Sequence, residues 1–212
     1  IPLTRLAERV GRTPFFAPDR ADSSAQVAGL RAILAPQVAL HYSIKANPMP
    51  ALVQHMAGLV DGLDVASSGE LRTALDTGKD PAHVSFAGPA KTDAELRQAV
   101  AAGVCLNIES EHELARAARI GEALGITPRV ALRINPAFEL KSSGMKMGGG
   151  AKPFGIDEEQ APAVLRQVAA LGLEFQGFHI FSGSQSLRLD AIIEAQSRSI
   201  ELAMRLAGDS PL

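Results

Sequence analysis

The feature that most constrains this chain is a regular alternation of short β-rich runs with longer helical stretches. Apolar and β-branched residues dominate the short runs, whereas the longer stretches repeat apolar residues at helical spacing. The predicted strands cover residues 38–45, 63–66, 84–87, 105–108, 129–135 and 175–181. The predicted helices that follow them cover residues 50–58, 69–76, 93–102, 111–124, 158–171 and 187–206. This order predicts an α/β protein with a parallel sheet.

Two parallel-sheet folds fit such a repeat, and the first strand favours one of them. A doubly wound sheet typically has a glycine-rich turn after its first strand, whereas here residues 45–48 are Lys-Ala-Asn-Pro. A (β/α)₈ barrel takes roughly 250 residues and carries its active site at the carboxyl ends of its strands. We therefore predict a TIM-type barrel with only about six of its βα units present, preceded by an extended segment over 14–17 and a helix over 21–34.

Helix ends are marked by capping signals. Thr92 or Asp93, Ser110 and Asp157 precede acidic first turns, and Ser110 with Glu113 fits a capping box. Glycines at 78, 103, 125 and 172 lie where helices should stop.

Composition narrows the function classes. The 212 residues carry a net charge of −2, so no broad basic surface for nucleic acid is expected. No apolar run approaches the ~20 residues of a membrane helix, and no signal peptide is recognisable. The single cysteine, Cys105, suits a cytoplasmic location. No histidine pair has zinc-ligand spacing, so no metal site is predicted. The chain starts at Ile1 and stops just after a helical pattern, which suggests a piece of a longer protein.

A long loop follows the fifth predicted strand. It runs from 136 to 156 and contains three consecutive glycines at 148–150. Loops of this length are usually functional or disordered. Its backbone could approach an anion, or it could be a lid without ligand contact.

Lys45 closes the first predicted strand, at the edge where barrels place their chemistry. If the lysine is buried there, desolvation lowers its pKa and leaves a neutral amine able to form a Schiff base. The alternative is a surface lysine whose stem covers apolar neighbours.

Charged and aromatic residues on later strands could complete a site at that edge. Asp64 and Arg133 interrupt short apolar strands, so they either orient an anionic substrate or form a self-satisfied buried ion pair. His179 and Phe181 have the same parity on the sixth strand and could stack on a planar cofactor, although a lone strand histidine is often a core residue. Ser184 lies in a Ser-Gly-Ser-Gln turn that could hold a phosphate.

Several segments together resemble the motifs of one enzyme family. Residues 42–47, Tyr-Ser-Ile-Lys-Ala-Asn, resemble Tyr-Ala-x-Lys-x-Asn, and residues 64–71 resemble Asp-x-x-Ser-x-Gly-Glu-Leu. Residues 177–185, Gly-Phe-His-Ile-Phe-Ser-Gly-Ser-Gln, resemble Gly-x-His-x-His-x-Gly-Ser-Gln. Further similar segments lie at 88–91, 107–110, 133–136 and 154–156. The family is that of the fold-type III pyridoxal-phosphate decarboxylases, the group of diaminopimelate and eukaryotic ornithine decarboxylases.

The resemblance implies a cofactor and roles for the residues named above. Lys45 would carry pyridoxal 5'-phosphate as a Schiff base, Asp64 and Arg133 would lie close to it, and Ser184 would contact the phosphate. Phe181 occupies the position where the family usually has its ring-stacking histidine, while His179 matches an earlier histidine. Which of the two rings covers the cofactor stays open.

The resemblance also implies a domain plan and a substrate class. Residues 1–18 would belong to a C-terminal β-domain that the chain lacks, and residues 19–212 would be a partial alanine-racemase-like barrel. The full-length form would be a cytoplasmic homodimer, with this fragment inactive on its own. The segment 143–156 resembles the exosortase-associated and butirosin-type branch, whose substrates include a carrier-protein-tethered amino acid. A diaminopimelate decarboxylase proper and a non-catalytic pyridoxal-phosphate-binding barrel are the alternatives.

Overall fold

The computed structural model describes residues 1–138, 153–181, 183 and 187–208, together with the backbone of 145, 146 and 184. Two helices come first, α1 (Leu3–Val10) and α2 (Arg20–Ile33). The repeat then runs β1 (His41–Ser43), α3 (Pro50–Ala57), β2 (Gly62–Val65), α4 (Ser68–Asp76), β3 (Val84–Phe86), α5 (Asp93–Ala102), β4 (Cys105–Ile108), α6 (Glu111–Leu124) and β5 (Arg129–Asn135). It continues with β6 (Met145–Lys146), β7 (Ile156–Asp157), α7 (Ala161–Ala170), β8 (Glu174–Ile180), β9 (Gly183–Ser184) and α8 (Leu189–Ala207).

The main sheet is parallel throughout. Its strands follow one another in the order β1-β2-β3-β4-β5, and β8 pairs with β5 over most of its length. The short β7 also pairs with β5, at the carboxyl end of that strand. Each of β1, β2, β3, β4, β5 and β8 is followed by a helix. The described residues thus contain the six βα units that the sequence predicted.

The two faces of the sheet differ in polarity because successive side chains of a strand point to opposite sides. One face packs against the helices and is apolar: Leu63, Val65, Val84, Phe86, Leu106 and Ile108 are each at most 2 % exposed. The opposite face of the sheet carries Asp64 of β2, Ser85 of β3, Asn107 of β4, Arg133 of β5 and His179 of β8. Burying the apolar face supplies roughly 1.5–3 kcal/mol for each large side chain, and the polar face is left for the site.

Capping fixes where the helices begin and end. Thr92 and Glu95 form a complete capping box at the start of α5, and Gly103 ends this helix in the left-handed conformation with φ of 77°. Gly125 ends α6 in the same way. Both ends lie where the sequence predicted them.

Three predictions need correction. The first strand was expected over 38–45, but β1 spans only His41–Ser43 and Lys45 lies on a 3₁₀ turn, Ile44–Ala46. Helix α7 begins at Ala161 rather than 158, because Asp157 pairs with Asn135 as part of β7 and cannot cap a helix. Helix α1 was not predicted, and the segment 14–17, which was predicted as extended, pairs with no strand among the described residues. Within the described residues, no helix is long and apolar enough to cross a membrane.

Candidate active site

Lys45 stands at the carboxyl edge of the sheet, held by the turn that follows β1. Ile44 is fully buried and anchors this turn, whereas the Lys45 side chain is exposed. The Tyr42 hydroxyl donates to the Asn47 carbonyl at 3.1 Å and ties the strand to the end of the turn. Of the two alternatives that the sequence left open for Lys45, the described residues favour the exposed lysine, since its side chain is not buried.

Phe181 meets Lys45 from the far end of the sheet. It follows β8 directly, and its ring centroid lies 5.6 Å from Lys45 Nζ. This distance is within the range of a cation–π contact. Lys45 and Phe181 lie 136 positions apart in the chain. These two residues, both predicted for the site, thus form a pair of a basic and an aromatic side chain.

Asp64 is held by two neighbouring strands. Its Oδ1 atom accepts from His41 Nδ1 at 3.2 Å and from Ser85 Oγ at 2.6 Å. Burial acts to raise the pKa of Asp64, but the hydrogen bonds from His41 and Ser85 lead several opposing effects that together hold the pKa below its usual value. Asp64 is therefore an ionised carboxylate at neutral pH. Its described hydrogen-bond partners are His41 and Ser85, and Arg133 is not among them.

Arg133 pairs instead with a residue to which the sequence assigned no role. Its Nη1 donates to Glu109 Oε1 at 2.8 Å, and both residues are buried. The Arg133 guanidinium also lies 5.0 Å from the centroid of the Phe154 ring. Glu109 follows β4 directly, so the sequence indicates that it lies at a strand end. The sequence does not indicate that Arg133 is its partner.

Lys91 and Glu113 form a second buried ion pair beside the first. Lys91 Nζ lies 2.6 Å from Glu113 Oε1, and both side chains are at most 5 % exposed. Glu113 Oε2 accepts from the Glu109 backbone N–H at 2.8 Å. The predicted capping box at Ser110 is therefore only half right. Ser110 Oγ accepts from Glu113 N, but the buried ammonium and the Glu109 amide occupy the Glu113 carboxylate.

His179 lies among these charges. It stands opposite Arg133 in the pairing of β8 with β5. Its Nδ1 atom is buried and has no hydrogen-bond partner among the described residues. Burial, followed by the charge of Arg133, lowers the pKa of His179 to about 4, with Lys45 adding to the effect and with Asp64 and Glu109 opposing it. At neutral pH this imidazole is uncharged.

The glycine-rich part of the long loop and the Ser184 side chain lie outside the described residues. Only backbone is described here: β9 pairs antiparallel with β6, with Ser184 opposite Met145 and Gly183 opposite Lys146. The predicted phosphate contact of Ser184 stays a prediction. In the described part of the chain, no group of three or more His, Cys, Asp or Glu side chains is arranged to hold a metal ion.

The comparisons with known proteins decide the family. A family model described as "pyridoxal-dependent decarboxylase, pyridoxal binding domain" matches residues 22–210. The chain belongs to this family. Its cofactor is pyridoxal phosphate, which confirms the resemblance drawn from the sequence.

Individual relatives agree with this assignment. The chain is 35 % identical over 206 residues to the L-glutamyl-[BtrI acyl-carrier protein] decarboxylase of Niallia circulans, covering 96 % of this chain and 48 % of that protein. It is 37 % identical over 216 residues to a diaminopimelate decarboxylase of Pseudomonas aeruginosa, covering 98 % and 51 %. The chain thus spans about half the length of the curated relatives it matches.

Solved structures extend the agreement to the fold. A diaminopimelate decarboxylase from Helicobacter pylori complexed with L-lysine superposes with a TM-score of 0.82 at 32 % identity, over 92 % of this chain and 50 % of that one. The predicted fold class, a partial TIM-type barrel, is confirmed.

Proposed function

We propose that the protein containing this chain is a pyridoxal-phosphate-dependent carboxy-lyase that decarboxylates an amino acid. One observation carries the proposal: the amine of Lys45 lies 5.6 Å from the centroid of the Phe181 ring, at the carboxyl edge of the sheet. A planar cofactor that is bound through an amine needs both a reachable amine and a flat surface beside it.

The described residues fit pyridoxal phosphate. Lys45 is exposed, so its Nζ atom is open to the cofactor's aldehyde, and Phe181 offers an aromatic face on which the pyridine ring can stack. When bound, pyridoxal phosphate supplies the electron sink that amino-acid decarboxylation requires. Of the two rings that the sequence left open, we propose Phe181 as the one that stacks.

The remaining predicted residues would shape the charge of the site. Arg133 contributes a buried cation beside His179, and Asp64 contributes a carboxylate held by His41 and Ser85. We propose that both lie within the cofactor site and that Ser184 contacts the phosphate. Phe181 has no titratable group, so it orients the ring but moves no proton. Lys45 Nζ is the titratable atom over that face.

Trapping the cofactor tests the role of Lys45. Borohydride treatment of the full-length protein with pyridoxal phosphate should add a reduced pyridoxyl group to Lys45, detectable by peptide mass spectrometry, and K45A should abolish the label. K79A is the matched control, because Lys79 donates to the Val60 carbonyl, away from Lys45, and precedes β3. Labelling that survives in K45A would contradict the proposal.

The substrate we propose is an amino acid, either free or tethered to a carrier protein. Both kinds occur among the names of the relatives, at similar identity. Carbon dioxide release from full-length protein, assayed with diaminopimelate and with a carrier-bound glutamyl group, separates the two. Release from neither, in a protein that binds the cofactor at Lys45, would favour a non-catalytic binding barrel.

We propose three further properties of the full-length protein. Residues 1–18 belong to a second, β-rich domain, the protein is a homodimer, and it is cytoplasmic. The resemblance to the decarboxylase family supports the first two, and the single cysteine is compatible with the third. Light scattering of the purified full-length protein measures its mass in solution. The dimer proposal requires a mass twice that of one chain.

A further inference from the structure

Four buried charged side chains behind the cofactor site form one connected network. Arg133 Nη1 contacts Glu109 Oε1 at 2.8 Å, and Lys91 Nζ contacts Glu113 Oε1 at 2.6 Å. The two pairs are joined because the Glu109 backbone N–H donates to Glu113 Oε2. The network contains two cations and two carboxylates, so its net charge is zero.

Glu109 is fixed from several sides, and Arg133 is fixed through it. The Gly88 backbone N–H donates to the same Oε1 atom that accepts from Arg133, at 2.5 Å. Lys91, besides pairing with Glu113, donates to the carbonyls of Gly88 and Asn107, each at 2.8 Å. The network therefore ties the loop after β3, the end of β4 and the first turn of α6 to the side chain of Arg133 on β5.

Stability alone is a poor explanation for this arrangement. Removing charges from water is costly, and apolar side chains of similar size often serve as well as a buried ion pair. Here Glu109 Oε2 is buried and has no hydrogen-bond partner among the described residues, so part of its desolvation is not compensated. What the pair does provide is a fixed position and direction for the guanidinium next to His179.

We propose that Glu109 is a positioning residue that holds Arg133 in place at the pyridoxal-phosphate site, with Lys91 and Glu113 holding Glu109. This inference rests on the proposed function, since it assumes that the site binds the cofactor. Glu109 acts through Arg133, so its contribution disappears when Arg133 is absent.

A double-mutant cycle on cofactor affinity tests this dependence. E109Q keeps the size of the side chain and removes its charge, and R133M removes the guanidinium. We expect E109Q to weaken binding of pyridoxal phosphate by about tenfold or more, and to weaken it less than twofold when R133M is already present. E111Q is the control: Glu111 is exposed at the start of α6 and bonds to Gln167, and its substitution should leave affinity within twofold. Equal loss in both backgrounds, or no loss with E109Q, would overturn the inference.

A second readout separates this inference from the proposed function. If wild-type protein binds no pyridoxal phosphate, the proposed function is wrong, and the same cycle is then read from thermal unfolding without cofactor. A double variant whose Tm falls no further than that of the more affected single variant supports the coupling, whereas additive losses overturn it. Circular dichroism establishes that each variant is folded. E109D, which keeps the charge and shortens the side chain, replaces E109Q in both cycles if E109Q does not fold.

Discussion

At the scale of single residues, the site depends on which groups are charged at neutral pH. His179 is the clearest case, because burial and the Arg133 cation both disfavour its protonation and lower its pKa to about 4. Because the imidazole is neutral, Arg133 supplies the positive charge where it stands opposite His179. Phe181, directly after the strand that carries His179, adds an aromatic face and no charge.

The lowered pKa of His179 predicts a pH dependence of stability. In the unfolded chain the histidine takes up a proton near pH 6.5, and in the folded protein only near pH 4. The unfolded state binds more protons between these values, so stability is fully present above pH 6.5 and falls as the pH drops toward 4. The loss should be of the order of 2–3 kcal/mol.

Denaturant unfolding of the full-length protein across this pH window measures the effect. H179N should flatten the slope of unfolding free energy against pH between about 4 and 6.5. H112N removes an exposed histidine on α6 and should leave the slope as in the wild type. An unchanged slope in H179N would show that other groups cause the acid sensitivity.

At the scale of elements, α6 is packed more closely against its surroundings than α2. A Cβ atom at Gly121 in α6 would lie 2.5 Å from Pro128 Cδ and 2.7 Å from the Ile126 carbonyl oxygen, whereas at the exposed Gly29 in α2 it would meet nothing within 4 Å. G121A gains about 1 kcal/mol of helix propensity but should lose roughly 1–3 kcal/mol to overpacking.

The two glycines therefore predict Tm shifts of opposite sign. G29A should raise Tm, because alanine reduces the entropy of the unfolded chain at no steric cost. G121A should lower it, because the turn leading into β5 must move. Differential scanning calorimetry of both variants compares them directly, and a Tm increase in G121A would refute the packing argument.

The elements were predictable from the sequence where local signals agree. Helix α6 and strands β4 and β5 have the predicted bounds, since caps, glycines and apolar periodicity coincide there. Prediction was wrong where a tertiary contact overrides a local signal. Asp157 reads as a helix cap but pairs with β5, and Glu113 reads as half of a capping box but takes the buried Lys91 ammonium.

The same limit applies to the site. Parity and strand ends identified Lys45, Asp64, Arg133, His179 and Phe181 as candidates. They could not identify the partner of Arg133, because Glu109 lies 24 residues away, after another strand, and several carboxylates could have served equally well. Parity and strand ends also left burial and exposure of Lys45 both open. The first strand ends two residues earlier than predicted, and Lys45 lies exposed on the turn that follows it.

At the scale of the whole molecule, the described residues include two strands at the ends of the sheet and one helix with exposed apolar side chains. In the described part of the chain, β1 pairs with β2 and β8 pairs with β5, so these strands lie at the ends of the sheet. Helix α8 exposes Ile193, Ile200 and Met204 by 56, 61 and 61 %. Sheet edges and contiguous apolar surface are the features through which chains associate.

The 212-residue chain on its own should therefore self-associate at micromolar concentration, because association removes this apolar surface from water. I193E/I200E should shift the chain toward the monomer in analytical ultracentrifugation. Q196E/S197E is the matched control, since it adds two negative charges to the same exposed part of α8 while keeping the isoleucines. If both double variants reduce association equally, charge repulsion and not apolar contact governs it. If the wild-type chain stays monomeric, the prediction of self-association is wrong, because the exposed apolar side chains of α8 then cause no association.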